Sequence, residues 1–194
     1  MVLSDRDIRR YILAGKIKIL PELDYEVQLG SCSVDLRLGD TFQVFEHSRY
    51  PYIDLRASTN LTDIMREIKI VPDEPFILQP HQFVLAATLE SLELDADILA
   101  RLEGRSSLGR IGIIVHGTSS VFDPGWRGHA TLELGNLGIM PVALYMGMRI
   151  CSFTFEQLSS PAEVPYYAKK GQKYAGQTTP LPSRIADEVA SRRS

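Results

Sequence analysis

Hydrophobic residues recur along this chain with two different periods, and the change between them organises everything else. Near the start, Ile8, Tyr11, Ile12 and Leu13 fall at helical spacing behind Ser4 and Asp7, a pair resembling a capping box with Asp in place of Glu, until Gly15 stops the helix. Beyond that point the pattern is one of short apolar or alternating runs. The strands it predicts are Cys32–Leu38, Phe42–Glu46, Phe76–Leu78, Phe83–Leu94, Ile98–Leu102, Ile113–His116, His129–Gly135 and Val142–Phe155. Turn-forming residues separate them, at Gly39-Asp40, Pro72–Pro75, Gln79–His81, Asp123-Pro124-Gly125 and Met146-Gly147-Met148. Many short strands punctuated in this way predict a mainly β fold with short helices, closed as a barrel or sandwich.

Two further helical pieces are expected, Ser106–Ile111 with Ser106 or Ser107 as its cap, and Leu61–Ile68. The zone from Tyr50 to Ile68 otherwise has no clear period, and Ile185–Ser194 is only weakly helical. From Tyr167 the chain turns polar, with Lys169, Lys170, Lys173, Gly171 and Gly176 ahead of Pro180 and Pro182. Residues 1–166 therefore read as one domain and 167–194 as a tail, either disordered or ordered by a ligand.

Composition narrows the class. The chain has 194 residues, 44% of them hydrophobic, enough for one real core. A net charge of −3 argues against nucleic-acid binding by bulk charge, so any polyanion must be small and gripped locally. No apolar run reaches membrane-spanning length, and the acidic first residues are unlike a signal peptide, so a cytoplasmic protein is expected. Cys32 and Cys151 both lie in strand-like apolar segments and are read as reduced, buried thiols.

The candidate chemistry is concentrated in the middle of the chain. Gly104-Arg105-Ser106-Ser107-Leu108-Gly109-Arg110 sets hydroxyls and exposed amides at a helix start between two arginines. That is either a phosphate-gripping loop or a capped helix with solvated charges. Asp123 is either a simple turn residue or an acceptor for a sugar hydroxyl. In His129–Gly135, alternation sends Ala130, Leu132 and Leu134 to the core, and turns Glu133 toward solvent, a neighbouring subunit or a pocket. Facing a pocket, its carboxylate can take a proton from water. His116 reads as a packed histidine. The zinc-deaminase pattern is missing, as are a phosphate-binding loop ending in Gly-Lys-Ser/Thr and a Gly-x-Gly-x-x-Gly fingerprint.

Taken in order, Ser4–Ile8, Ser33-Val34-Asp35-Leu36-Arg37-Leu38-Gly39, Thr88-Leu89-Glu90, Gly104–Arg110, Asp123–Gly128, Thr131–Leu134 and Lys173–Gln177 resemble the deoxycytidine triphosphate deaminase family, a relative of the trimeric dUTPases. The resemblance implies a distorted dUTPase-like β-barrel, a homotrimer with sites shared between subunits, and zinc-free deamination of dCTP with Glu133 as general base. It assigns Ser106 and the backbone at Ser119 to the attacking water, and Arg110 to charge at the reacting centre. Asp123 would read the deoxyribose. Arg105, Ser107, Tyr166, Lys173 and Gln177 would grip a triphosphate carrying Mg²⁺, with Leu108, Gly109, Thr131, Leu132 and Ser152 completing the substrate contacts. Feedback by dTTP at the same pocket is also implied.

One segment departs from the family. Single-activity members resemble Ala-His-Arg-Ile after the threonine matching Thr118, and dual-activity members, which release dUMP and pyrophosphate, resemble Ala-Gly-Phe-Ile. Here Ser119-Ser120-Val121-Phe122 matches neither, with Ser120 and Val121 in place of the His-Arg pair. That leans toward the dual type, while Ser152, where dual members carry glutamine, leans the other way. Three functions thus remain from the sequence: a dUTP-forming deaminase, a dual deaminase–diphosphatase, and a non-catalytic nucleotide-binding barrel.

Overall fold

The computed structural model describes residues 1–46, 52–54 and 61–187. The Tyr50–Ile68 zone and the Ile185–Ser194 end therefore fall partly outside the described residues. The chain opens with α1 (Asp5–Leu13), where the Ser4 side chain accepts from the Asp7 amide at 3.4 Å and Ile8 and Tyr11 are buried. Gly15, at φ +72°, ends it in the left-handed conformation that glycine adopts without strain. Then come β1 (Ile17–Leu20), α2 (Tyr25–Gln28), β2 (Ser33–Phe45), a 3-10 turn at Leu61–Ile64, and β3 (Met65–Lys69). The strands β4 (Phe76–Leu78), β5 (Phe83–Leu94) and β6 (Ile98–Gly104) lead to α3 (Ser106–Gly109). After it follow β7 (Ile113–Ile114), β8 (Val121–Phe122), β9 (Arg127–Asn136), β10 (Val142–Leu144) and β11 (Arg149–Gln157).

Nine of these strands form one antiparallel sheet in the order β7-β9-β5-β2-β11-β6-β8, with β1 added on β5 and β3 on β2; β10 and β4 pair separately. The sheet curls around a core in which Phe42 stacks on Phe76 at 4.2 Å and Phe122 meets Phe153 and Trp126 edge-on at 5.1 and 4.9 Å. Ala130, Leu132 and Leu134 are fully buried, as the alternation in β9 requires.

Several expectations need correction. Gly39-Asp40 is not a turn: β2 runs straight through, because a side chain at Gly39 would approach the Ala87 carbonyl of β5 to 3.0 Å. The glycine marks close strand contact. Val142–Phe155 is two strands, broken where Gly147 takes φ +82°. Leu61–Ile68 is not a helix but a 3-10 turn followed by β3, whose pairing to β2 overrides the helical leaning of Met65-Arg66-Glu67. The α3 turn is capped by neither serine. Arg105 occupies the N-cap position, without a side-chain hydrogen bond. Finally, Cys151 is buried, and burial pushes its thiol well above the ordinary range, but Cys32 is exposed.

Thr88-Leu89-Glu90 marks a structural feature. The pairing of β5 with β9 shifts register between Ala87 and Ser91. Within that irregularity the Thr88 hydroxyl donates to Glu90 O at 2.7 Å and accepts from Ala130 N at 3.0 Å. Glu90 turns inward with no exposure, held by Arg37 Nε at 2.6 Å, Arg37 N at 2.7 Å and Gln28 Nε2 at 3.0 Å.

Candidate active site

Strand β9 brings Glu133 and Thr131 to the same face, opposite the leucines it buries. There they line a cavity of about 460 Å³ together with Ser119, Val121, Asp123, Tyr166 and Gln177, behind apolar walls from Leu85, Phe122, Trp126 and Tyr174. The open alternatives for Glu133 thus resolve to a pocket. Its Oε2 accepts from the Gly117 amide at 2.5 Å, and its own amide donates to Val115 O at 2.9 Å. A Cβ at Gly117 would lie 2.9 Å from that oxygen, so glycine lets the backbone come close enough to aim the carboxylate. No side-chain pattern advertises a backbone donor, which is why Gly117 has no role in a reading of the residues alone.

The Asp123-Pro124-Gly125 turn is real, closed by Trp126 N on Asp123 O at 3.0 Å with Gly125 at φ +82°. It also places the aspartate at the cavity wall. Trp126, unremarked as a cavity wall in the sequence, packs on Tyr166 at 5.4 Å between ring centres and donates to Gly128 O.

The tail is ordered against the body through the described residues. Gln177 is buried, its amide nitrogen donating to His129 O at 2.7 Å and to Thr131 Oγ1 at 2.8 Å, while its backbone carbonyl accepts from His129 N. Gly176 N donates to Arg127 O at 2.7 Å, and Leu181 and Ser183 reach the cavity rim. This seam requires Gly128, which sits at φ +127° with Gln177 O only 2.7 Å from where a Cβ would be. Gly128→Ala should therefore lift the tail, seen as faster amide exchange at Gly176 and His129 with the rest of β9 unchanged.

Other candidates lie elsewhere. Arg105 is turned onto Asp35, Nε to Oδ2 3.1 Å, and Ser106, Ser107, Gly109 and Arg110 are exposed around buried Leu108. None of Arg105–Arg110 lines the Glu133 cavity within this chain. Leu132 is fully buried in the core, Ser152 lies on β11 opposite Asp35, and Ser120 is half-buried beside β8. Lys173 lines a smaller recess of about 190 Å³ with Tyr166, Lys169 and Gln172. His116 is packed, with Nδ1 buried.

A family profile described as dCTP deaminase-like matches residues 2–158. The chain belongs to the dCTP deaminase family. It is 60% identical over 190 residues to the dCTP deaminase of Thermomicrobium roseum, covering 98% of this chain and 96% of that one. It is also 50% identical over 185 residues to the dUMP-forming dCTP deaminase of Dictyoglomus thermophilum, covering 95% of each. Among solved structures, the 2′-deoxycytidine 5′-triphosphate deaminase from Agrobacterium tumefaciens superposes with a TM-score of 0.62 at 24% identity. That match covers 80% of this chain and 48% of the other, so this chain spans about half its length. The mainly β fold expected of a dCTP deaminase family member is the fold observed.

Proposed function

We propose that this protein hydrolyses dCTP to dUTP and ammonia, with Glu133 as the acid–base group. The observation that carries this reading is a carboxylate fixed by a backbone amide inside a half-apolar cavity, next to an aspartate and under a tail. Glu133 takes a proton from water, the hydroxide oxygen bonds to the ring carbon bearing the amine, and the carboxylate passes that proton to the ring nitrogen; it then takes the second proton from the new carbon-bound hydroxyl and gives it to the departing amine. The carbon–nitrogen bond breaks, ammonia leaves, and the ring keeps the oxygen as its new carbonyl. Asp123 accepts from the deoxyribose hydroxyl, and Phe122, Trp126 and Tyr174 keep bulk water out.

The remaining groups come from a second copy. Within one chain Ser106 and Arg110 are exposed and do not line the Glu133 cavity, so in a homotrimer a neighbouring subunit presents Ser106 to the water, beside the Ser119 backbone, and Arg110 to the reacting centre. Arg105, Ser107, Tyr166 and Lys173 hold the triphosphate. Among the described residues no three His, Cys, Asp or Glu side chains converge as a metal cage. Mg²⁺ in this reading rides on the phosphate oxygens, where it neutralises charge. Gln177 takes a different part from the triphosphate grip expected of it: its amide nitrogen is spent on His129 and Thr131, so it fastens the tail beside the base. Binding of dTTP in the same cavity, as a feedback inhibitor, belongs to this reading too.

A second reading, release of dUMP and pyrophosphate, is favoured by relatives of that name at 50% and 47% identity and by the missing His-Arg pair at Ser120-Val121. Among the described residues no helix is long and apolar enough to cross a membrane. The deciding experiment incubates the protein with dCTP and Mg²⁺ and follows ammonia, dUTP, dUMP and pyrophosphate together. Ammonia with dUTP is the expected result. Ammonia with equimolar pyrophosphate selects the dual enzyme, and neither product leaves only a nucleotide-binding barrel.

A further inference from the structure

The outer face of the sheet carries a charged cluster in which Arg105 meets two residues, Asp35 and Arg149, that the proposed chemistry does not use. On β2, Val34, Leu36 and Leu38 are fully buried, so Asp35 and Arg37 face the other way. Arg37 is neutralised by buried Glu90. Asp35 stands between two guanidinium groups, with Oδ2 3.1 Å from Arg105 Nε and 3.2 Å from Arg149 Nη1. The two arginines are also tied to each other, since Arg105 Nη1 donates to the Arg149 carbonyl at 3.0 Å. Arg149 is fixed again by a 2.7 Å bond from Nη1 to Val27 O.

Strand geometry builds this arrangement. The β2–β11 pairing places Asp35 opposite Ser152, and a register shift between Arg149 and Cys151 interrupts the regular pleat where Arg149 reaches Asp35. On the other side of β11, Ser152 pairs with Glu103, two residues before Arg105, so the chain delivers Arg105 to the same spot as it leaves β6 for α3. The side chains of Asp35, Arg105 and Arg149 are 19%, 25% and 38% exposed, so the cluster is screened but reachable. Arg105 commits Nε to Asp35 and Nη1 to the Arg149 carbonyl within it.

We propose that Asp35 is a positioning residue that clamps Arg105 and Arg149 into one rigid fork for the triphosphate, with Arg149 as its second cation. The inference rests on reading the Arg105–Arg110 block as triphosphate-binding. One carboxylate between two guanidinium groups leaves one net positive charge and removes the rotamer freedom that arginine otherwise loses on binding. Counting charge alone predicts the reverse behaviour: deleting Asp35 makes the face more positive and should tighten phosphate binding. The sign of the effect therefore decides between the two.

The test measures the dissociation constant for inorganic triphosphate by calorimetry, and KM and kcat for dCTP, in wild type, Asp35→Asn, Asp35→Glu, Arg105→Gln and the Asp35→Asn/Arg105→Gln double variant. Asp35→Asn should weaken triphosphate binding and raise KM by about tenfold each, with kcat little changed. Asp35→Glu should recover part of the loss, and the double variant should be no weaker than Arg105→Gln alone. Unchanged or tighter triphosphate binding, additive losses, or a fall in kcat at constant KM would overturn the proposal, as would a wild type that does not bind triphosphate. A wild type that binds triphosphate but releases no ammonia from dCTP refutes the deamination reading, and the triphosphate constants then still judge the fork. If Asp35→Asn does not fold, Arg149→Gln carries the test: the same loss supports the fork and unchanged binding refutes it.

Discussion

Glu133→Gln is expected to reduce ammonia release from dCTP by about a thousandfold while the nucleotide still binds, because glutamine fills the same space but cannot take a proton. Gly117 N can still donate to the side-chain oxygen of glutamine, so the site should keep its shape. A paired measurement is needed: single-turnover ammonia release and equilibrium binding of dCTP on the same preparation. Turnover near the wild-type rate would remove Glu133 as the base. Loss of binding together with rate would mean that the carboxylate holds the substrate rather than transforming it.

The second large effect is on stability. Arg37→Met should destabilise the fold by about 3 kcal/mol in urea unfolding, since it strips the counter-ion from a carboxylate that has no solvent exposure. Gln28 Nε2 and the backbone amide of position 37 would remain on Glu90, yet neither carries charge. Methionine preserves most of the stem volume, so the loss reports the charge rather than a cavity. Adding Glu90→Gln to Arg37→Met should recover a good part of it. A single variant as stable as wild type would show that water reaches Glu90 in solution.

What the sequence made legible follows from what repeats. The strand Phe83–Leu94 was readable as a long apolar run that passes into alternation, and the buried side of β9 from alternation. β1 and β8, at four and two residues, are too short to show a period, and β3 is a charged edge strand whose residues favour a helix until β2 pairs with them. The site divides similarly. Glu133, Asp123 and Thr131 were legible from alternation, turn chemistry and family resemblance. Gly117 was not, since its contribution is a peptide N–H. Gln177 was picked out, but its direction depends on a backbone seam with Gly128 that no side-chain pattern encodes. Cys32 failed for a local reason: it precedes β2, at a turn where Gly30 N meets Ser33 O, and so lies outside the sheet that buries Val34 and Leu36.

Strand β9 offers its cavity-facing carboxylate and its core leucines at adjacent positions, Leu132, Glu133 and Leu134. An insertion or deletion of one residue upstream within this strand would exchange the two faces, driving a charge into the interior and an aliphatic side chain into the cavity. Folding and turnover would then fail in the same event. Evolution can vary the cavity-facing side of this strand by point substitution at alternate sites, but it has almost no freedom here to change length.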